Sequence, residues 1–411
     1  MIVPSIDLMD GKVVQLRQGK EHVLTDERDP VELAKELNRY GEIGVIDLDA
    51  AMGKGSNLEL VKAICRVADV RAGGGIRDVE RARELLRAGA KRIIIGTAAT
   101  EELLSQLPKE RVMVALDHWQ GTVVDQGWAN KTGESVVDRA KRLQDYCGSF
   151  LCTFVAEEGG MKGLPVEEAF TLQKELKNPI TFAGGVSSTD EVVALSKAGL
   201  DVQVGMALYT GKLDPADAVV NTLDFEKQPL IPTIVQDSAG QVLMLAYSSP
   251  ESLKLALSQG KGIYYSRSRN EIWEKGKTSG NMQNLLSCRV DCDRDTILFK
   301  VEQEGPACHT EAYSCFGSGF KNSDFSVKTL FDVLKERKAN LPEKSYSAKL
   351  FKDADLLKSK ILEEADEVVT APTHEDTIWE IADVVYFLSV LAVRENIAWS
   401  DVEAELGGRV R

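Results

Sequence analysis

The sequence predicts an α/β chain that opens with a (β/α)8 barrel and continues into a small β-rich α+β domain and then an all-α helical domain. Three observations carry this reading. From Met1 to about Leu223, short apolar runs alternate with segments that are apolar at helical spacing, the mark of repeated βα units on a parallel sheet. After Leu223 that rhythm gives way to short, partly alternating strands, and beyond about residue 324 the chain reads as helix to its end. The expected domains are therefore residues 1–224, 225–320 and 325–411, a division that suits a chain of 411 residues, too long for one ordinary domain.

Eight strand candidates lie at 2–7, 43–49, 70–73, 92–96, 112–117, 149–154, 180–183 and 202–205. The matching helices are 30–40, 57–67, 78–88, 101–107, 135–146, 165–176, 189–198 and 214–223, most of them acidic near the start. Eight such units close a barrel, whereas an open doubly wound sheet usually has fewer. In the middle segment, strands are expected at 233–236, 241–246, 262–266, 288–291 and 296–303, with one helix near 250–258. A second seam falls at Gly317-Ser318-Gly319, followed by two long amphipathic patterns, 354–370 and 375–394. A helical module this short is expected to need a partner copy to complete its core.

The barrel contains an internal repeat. Gly73-Gly74-Gly75-Ile76-Arg77 followed by Gly96-Thr97 is matched by Ala183-Gly184-Gly185-Val186 followed by Val204-Gly205, at almost the same separation. Glycines at strand ends, just before helices, leave bare N–H groups and a helix dipole for a phosphate. The duplicate implies a substrate with a phosphate at each end, held by Gly74, Gly75, Arg77, Gly96 and Thr97 on one side and Gly184, Gly185 and Gly205 on the other.

Lys plus Arg number 50 against 64 Asp plus Glu, a net charge of −14, which disfavours a nucleic-acid polymer as partner. No apolar run approaches the length of a membrane span and the start lacks the character of a signal peptide, so a cytoplasmic protein is expected. Seven cysteines, an odd number, argue for reduced thiols or metal ligands rather than a disulfide framework.

Three constellations carry chemistry. Asp7 ends the first barrel strand and Asp117 the fifth, so two carboxylates face each other across one cavity, an arrangement suited to proton transfer at two points of one substrate. The bland reading is that Asp7 caps a turn. In the middle segment, Cys292, Cys308 and Cys315 match zinc with a fourth position open to water, while Asp291, Asp293 and Asp295 match a hard cation such as magnesium. His309 could relay protons there, or could close a structural zinc site, and the aspartates could be no more than a solvated turn. Arg267, Arg269 and Lys275, among serines and glycines, suit a phosphate. In the helical segment, Glu363, Glu364 and Glu367 with Glu380 and Asp383 put carboxylates on two successive helices, a pattern that holds magnesium and through it a polyphosphate, or is only a solvated face. Arg337, Lys338 and Lys360 are candidate cations beside them.

These motifs resemble three families of histidine biosynthesis. Residues 1 to about 224 are similar to the isomerase of phosphoribosylformimino-AICAR phosphate (ProFAR), through Pro4-Ser5-Ile6-Asp7-Leu8, the glycine pairs, Leu116-Asp117 and Gly127-Trp128. The resemblance implies Asp7 as general base and Asp117 as general acid of an Amadori-type rearrangement, with Thr153 assisting. The related cyclase barrel typically has a lysine where this chain has Val14-Gln15-Leu16. The isomerase's usual Asp-Gly-Thr after strand six is Glu158-Gly159-Gly160 here, which sets that loop apart. Residues of about 225–317 resemble phosphoribosyl-AMP cyclohydrolase, which implies zinc on Cys292, Cys308 and Cys315, magnesium on Asp291, Asp293 and Asp295, and a site shared between two subunits. Residues of about 325–411 resemble phosphoribosyl-ATP pyrophosphatase, implying magnesium on the glutamate helices. A trifunctional enzyme acting on phosphoribosylated purine and imidazole nucleotides, and at least a homodimer, is the resulting expectation. Its competitors are a cyclohydrolase with the barrel as a phosphate-binding scaffold, or with the tail as a dimerisation module.

Overall fold

A computed structural model describes residues 1–125, 127–317, 326–342 and 345–407; beyond Gly317 the expected seam lies outside the described residues. Two compact units emerge, Met1–Phe316 and Gly317–Gly407.

In the first unit, eight parallel strands close on themselves: Ile2–Met9, Ile43–Asp47, Val70–Gly73, Arg92–Ile95, Val112–Trp119, Ser149–Phe154, Ile180–Ala183 and Asp201–Val204. The eighth strand pairs with the first, Val202 opposite Ile2, and the first with the second, Asp7 opposite Ile46. Strand side chains alternate between faces, so every second residue enters the barrel. In the fifth strand Val112, Val114 and Leu116 join the shell under the helices, while Met113 packs in the barrel interior with Ile94, Leu151 and Ala183. The same parity carries Asp117 and Thr153 to the inner face at the carboxyl end, where they stand opposite each other on neighbouring strands.

The floor of the barrel is polar and paired. Arg71, buried in the third strand, donates to Glu42 Oε2 at 2.6 Å, Thr181 Oγ1 at 2.8 Å and Asp201 Oδ2 at 2.6 Å, and Arg92 adds a 3.2 Å bond to Glu42. Two hairpins escaped the sequence reading. Lys12–Arg17 with Glu21–Asp26 follows the first strand, and Thr122–Asp125 with Asn130–Ser135 follows the fifth. Their outer strands bury little, so no apolar alternation marked them.

The middle segment forms a four-stranded sheet in the order Val242–Ser248, Ile231–Asp237, Ile297–Gln303, Gln283–Val290, with a separate hairpin, Ile263–Ser266 and Glu271–Glu274, and a helix, Pro250–Gln259. The strand expected at 288–291 is the end of a longer one whose earlier half reads as polar. This sheet shares one hydrophobic cluster with the barrel shell. It docks on the barrel's amino-terminal face, where Arg289 pairs with Asp69 at 2.5 Å, Asn38 donates to the Leu286 carbonyl at 3.0 Å, and Lys254 pairs with Asp217 at 2.6 Å.

The second unit is helical: Val327–Asn340, Tyr346–Lys352, Ala354–Thr370, His374–Arg394 and Trp399–Gly407. Phe331, Leu334, Leu350, Leu357, Phe387 and Val390 form its small core. No helix among the described residues is long and apolar enough to cross a membrane.

Replacing Arg71 by Ala would leave Glu42 with only Arg92, and Asp201 with only the Met1 amino group, as ion-pair partner in the floor among the described residues, and removal of one partner of a buried pair costs about 3–5 kcal/mol. The expected outcome is a clear fall in the urea midpoint of the Met1–Phe316 unit, measured by equilibrium unfolding; an unchanged midpoint would show that the floor does not depend on this cation.

Candidate functional sites

At the carboxyl end of the barrel, Glu158 lies within electrostatic reach of both Asp7 and Asp117. Gln203 Nε2 donates to Ser5 Oγ at 3.4 Å and Ser5 Oγ donates to Asp7 Oδ1 at 3.2 Å, a short chain that orients the first carboxylate from within the barrel. Trp128 Nε1 donates to Asp117 Oδ2 at 2.8 Å and the Thr153 hydroxyl also bonds Asp117. The Trp128 ring lies over Gly19, where an added Cβ would come within 2.9 Å of it, so the two barrel hairpins meet above the cavity. Burial pushes Asp7 up to about 6 and also raises Asp117, against the pull of the bonds from Trp128 and Thr153. Glu158 is pushed up to about 8, first by burial and then by the charges of Asp7 and Asp117. The sequence marked residue 158 only as a departure; what it could not show is that the loop folds back, with Gln18 N donating to the Glu158 carbonyl at 3.3 Å, and turns the side chain toward both aspartates.

The repeated glycine pairs occupy equivalent places. A Cβ on Gly74, at φ +96°, would fall on the Asp47 backbone, and one on Gly184, at φ +101°, would meet the Phe154 carbonyl at 2.5 Å. Gly75 is pressed against Ala50 and Gly185 against Glu157 in the same manner. In both halves, then, the chain after a strand lies on the backbone of the preceding loop, closer than any side chain permits. Gly96 follows the fourth strand with Thr97, and Gly205 precedes the short helix Met206–Tyr209 beside the Gln15 carboxamide. Arg77 is exposed and donates to the Ala51 carbonyl at 3.1 Å.

In the middle domain, Asp291, Asp293 and Asp295 each offer an oxygen within 4.8 Å of the others. The free thiols of Cys308 and Cys315 are hydrogen-bonded to each other, with the Thr310 hydroxyl donating to the Cys308 sulfur at 3.1 Å and His309 Nδ1 at 3.8 Å from it. Donation from Thr310 pulls the Cys308 thiol down, whereas burial raises Cys315. Cys292 is exposed on the aspartate turn and, among the described residues, does not form a three-sulfur cluster with the other two. Lys275 is buried nearby, and burial lowers it against the pull of both cysteines. Beside it, a cleft of about 340 Å³ is lined by Arg269, Trp273, Lys275, Lys277, Thr278 and Ser279. Arg267 stacks 3.8 Å above the Tyr247 ring centroid.

In the helical unit, Glu364, Glu367 and Glu380 bring an oxygen each within 4.8 Å of one another, and Glu364 is buried. Glu363 instead pairs with Lys360 at 2.9 Å, while Asp383 lies close enough to add to the upward push that burial and the two glutamates exert on Glu380. Lys338 caps the helix His374–Arg394, donating to the carbonyls of Val393 and Arg394.

Family models match along the whole chain: histidine biosynthesis protein over residues 1–214, phosphoribosyl-AMP cyclohydrolase over 244–317 and phosphoribosyl-ATP pyrophosphohydrolase over 327–409. The chain belongs to the histidine biosynthesis protein family. Among its relatives, a histidine biosynthesis bifunctional protein of Schizosaccharomyces pombe is 33% identical over 363 residues, covering 85% of this chain and 82% of its own length. An imidazole-4-carboxamide isomerase of Archaeoglobus fulgidus is 39% identical over 236 residues, 55% of this chain and 98% of its own. A histidine biosynthesis trifunctional protein of Kluyveromyces lactis is 46% identical over 218 residues, 53% of this chain. The chain spans about a quarter of the length of the trifunctional relatives it matches, 26% in each case.

The raised carboxyls tie stability to pH. Asp7 and Glu158 hold protons in the folded protein that they would lose when unfolded at the same pH. Their contribution is therefore complete below about pH 4 and is lost as pH rises through about 6 and then about 8. Glu158→Gln should lose less thermal stability between pH 6 and pH 9 than the parent chain, read by calorimetry across that range; parallel curves would mean that Glu158 does not feel the two aspartates.

Proposed function

We propose that this chain carries three activities: removal of pyrophosphate from phosphoribosyl-ATP in the helical unit, hydrolytic opening of the purine ring of phosphoribosyl-AMP in the middle domain, and Amadori-type isomerisation of ProFAR in the barrel. The observation that carries the reading is the barrel mouth, where Asp7 and Asp117 both lie within electrostatic reach of Glu158 and the two glycine pairs rest in equivalent fashion on the preceding loops.

In the isomerisation, Asp117 is held toward its protonated form by burial and gives its proton to the ring oxygen of the aldose, opening the ring. Thr153 and Trp128 fix the orientation of that carboxyl. Asp7, about 6, is mostly ionised at neutral pH and takes the proton from the sugar carbon next to the reacting one. Gly74, Gly75, Arg77, Gly96 and Thr97 hold one phosphate and Gly184, Gly185 and Gly205 the other, in keeping with the two-fold repeat. In the middle domain, the donor set suits two metals: Cys308 and Cys315 with Cys292 for zinc, and Asp291, Asp293 and Asp295 for magnesium. Zinc at such a site supplies a nucleophile from water at neutral pH. Arg267, Arg269 and Lys275 hold the substrate phosphate, and His309 relays the proton. In the helical unit, Glu364, Glu367 and Glu380, with Glu363 and Asp383 at the margin, would hold magnesium against the triphosphate.

Two features support an assembly of at least two copies. Cys292 stands apart from Cys308 and Cys315 within one chain, so a partner's cysteine would complete the thiolate set. Leu362, Val369, Ile378, Trp379 and Ile381 form exposed apolar positions on the two long helices of the small second unit. All seven cysteines are unpaired, which suits the reducing cytoplasm.

If each constellation serves one step, the steps can be stopped one at a time. Given phosphoribosyl-ATP, Glu364→Gln should leave it unconsumed, Cys308→Ala should lose bound zinc and accumulate phosphoribosyl-AMP, and Asp7→Asn should accumulate ProFAR while both hydrolyses continue. Chromatography of the products reads all three. Formation of the ketose by Asp7→Asn at the parent rate would leave the barrel as a scaffold.

A further inference from the structure

The turn that carries Asp291, Asp293 and Asp295 also carries a residue of opposite charge that points elsewhere. Asp291, Cys292, Asp293 and Asp295 are exposed, whereas Arg294 is half-buried. Arg294 sits at φ +63°, in the left-handed region. Its Nη2 donates to the Ser196 carbonyl, in the last turn of the barrel helix Thr189–Lys197, and its Nη1 is enclosed without a protein partner. Asp201, one of the acids of the barrel floor, lies within its electrostatic reach. A cation at a helix carboxyl end meets both open carbonyls and the negative end of the dipole.

On the other side of the turn, backbone bonds fix the acids in place: Asp291 Oδ1 accepts from Asp295 N and from Thr296 N, each at 3.1 Å, and Asp295 Oδ1 accepts from Thr296 Oγ1 at 3.0 Å. Three carboxylates within 4.8 Å repel one another and tend to open the turn. An anchor outside the turn, on the barrel helix Thr189–Lys197, opposes that opening. We infer that Arg294 is a positioning residue through which the barrel floor holds the Asp291–Asp293–Asp295 turn ready for a divalent cation, so that the barrel serves the neighbouring hydrolytic site as well as its own. The inference rests on the reading that this turn binds a metal, and it adds a dependence on the barrel.

The test uses the full chain with Glu364→Gln and Glu367→Gln to silence the helical unit, and Mn2+ as probe by calorimetric titration. Arg294→Met keeps the stem and removes the charge and donors. It should weaken Mn2+ binding about 10-fold or more, the range found when outer groups that orient metal ligands are lost. It should also raise the Mg2+ concentration needed for half-maximal ring opening while leaving the rate at saturating Mg2+ and the isomerisation at the far end of the barrel near parent values. Arg294→Lys should recover part of the affinity, because a cation still meets the helix end. In the parent chain, Mn2+ should slow amide exchange at Ala198–Leu200, since coupling between sites is reciprocal. Unchanged Mn2+ affinity in Arg294→Met, or exchange at Ala198–Leu200 indifferent to Mn2+, would overturn the inference. If Asp293→Asn also binds Mn2+ as the parent does, the metal reading of the turn fails instead.

Discussion

Arg71 stands where the inner faces of the third, seventh and eighth barrel strands meet, and its guanidinium fills hydrogen bonds to Thr181, Asp201 and Glu42 at once. A buried cation is tolerated only when its donors are matched, and here each acceptor comes from a different part of the barrel wall. The floor is therefore polar but closed. Above it Ile94, Met113, Leu151 and Ala183 fill the interior, and above them the inward positions are free to carry carboxylates. The alternation that puts Arg71 inward at the amino end puts Gly73 inward at the carboxyl end of the same strand, just before the first glycine pair.

This layering separates two chemistries by the height of the barrel. Asp7, Asp117 and Glu158 open at the carboxyl ends of the strands, while the middle domain is seated on residues that precede strands, Asn38, Asp69 and Ser196. Between these two levels Ile94, Met113, Leu151 and Ala183 pack together in the barrel interior. A pair of carboxyls pushed upward by burial is stable only because the mouth is lined by donors as well: Ser5 for Asp7, and Trp128 and Thr153 for Asp117. The glycine pairs contribute differently, by removing side chains so that two loops can rest on their predecessors.

The barrel was legible in the sequence because its strands are buried on both sides and read as apolar runs. Asp7 and Asp117 were legible as inward positions, because side chains alternate along a strand; the strands themselves run two residues further, to Met9 and Trp119. Histidine 118 shows the other side of that parity: it follows Asp117 yet faces outward into the shell against Phe154, where burial lowers it to about 4. Glu158 was not legible as a site residue, since loop direction is set by tertiary contacts with residues 16–18 rather than by local pattern. Lys338 looked like a phosphate cation and is a helix cap, because a lysine's role depends on which carbonyls fold toward it. The sequence grouped Cys292 with Cys308 and Cys315; Cys292 is exposed on the aspartate turn, whose Arg294 donates to the Ser196 carbonyl.

The central claim is that three sites on one chain act on successive forms of one substrate. The most direct measurement is a time course of the parent protein supplied with phosphoribosyl-ATP, magnesium and zinc, with every product resolved by chromatography and mass. The account predicts pyrophosphate release, transient phosphoribosyl-AMP, then the ring-opened ProFAR, and finally its ketose isomer. Phosphoribosyl-ATP left unconsumed, or accumulation that stops at phosphoribosyl-AMP or at ProFAR, with metals saturating, would contradict it.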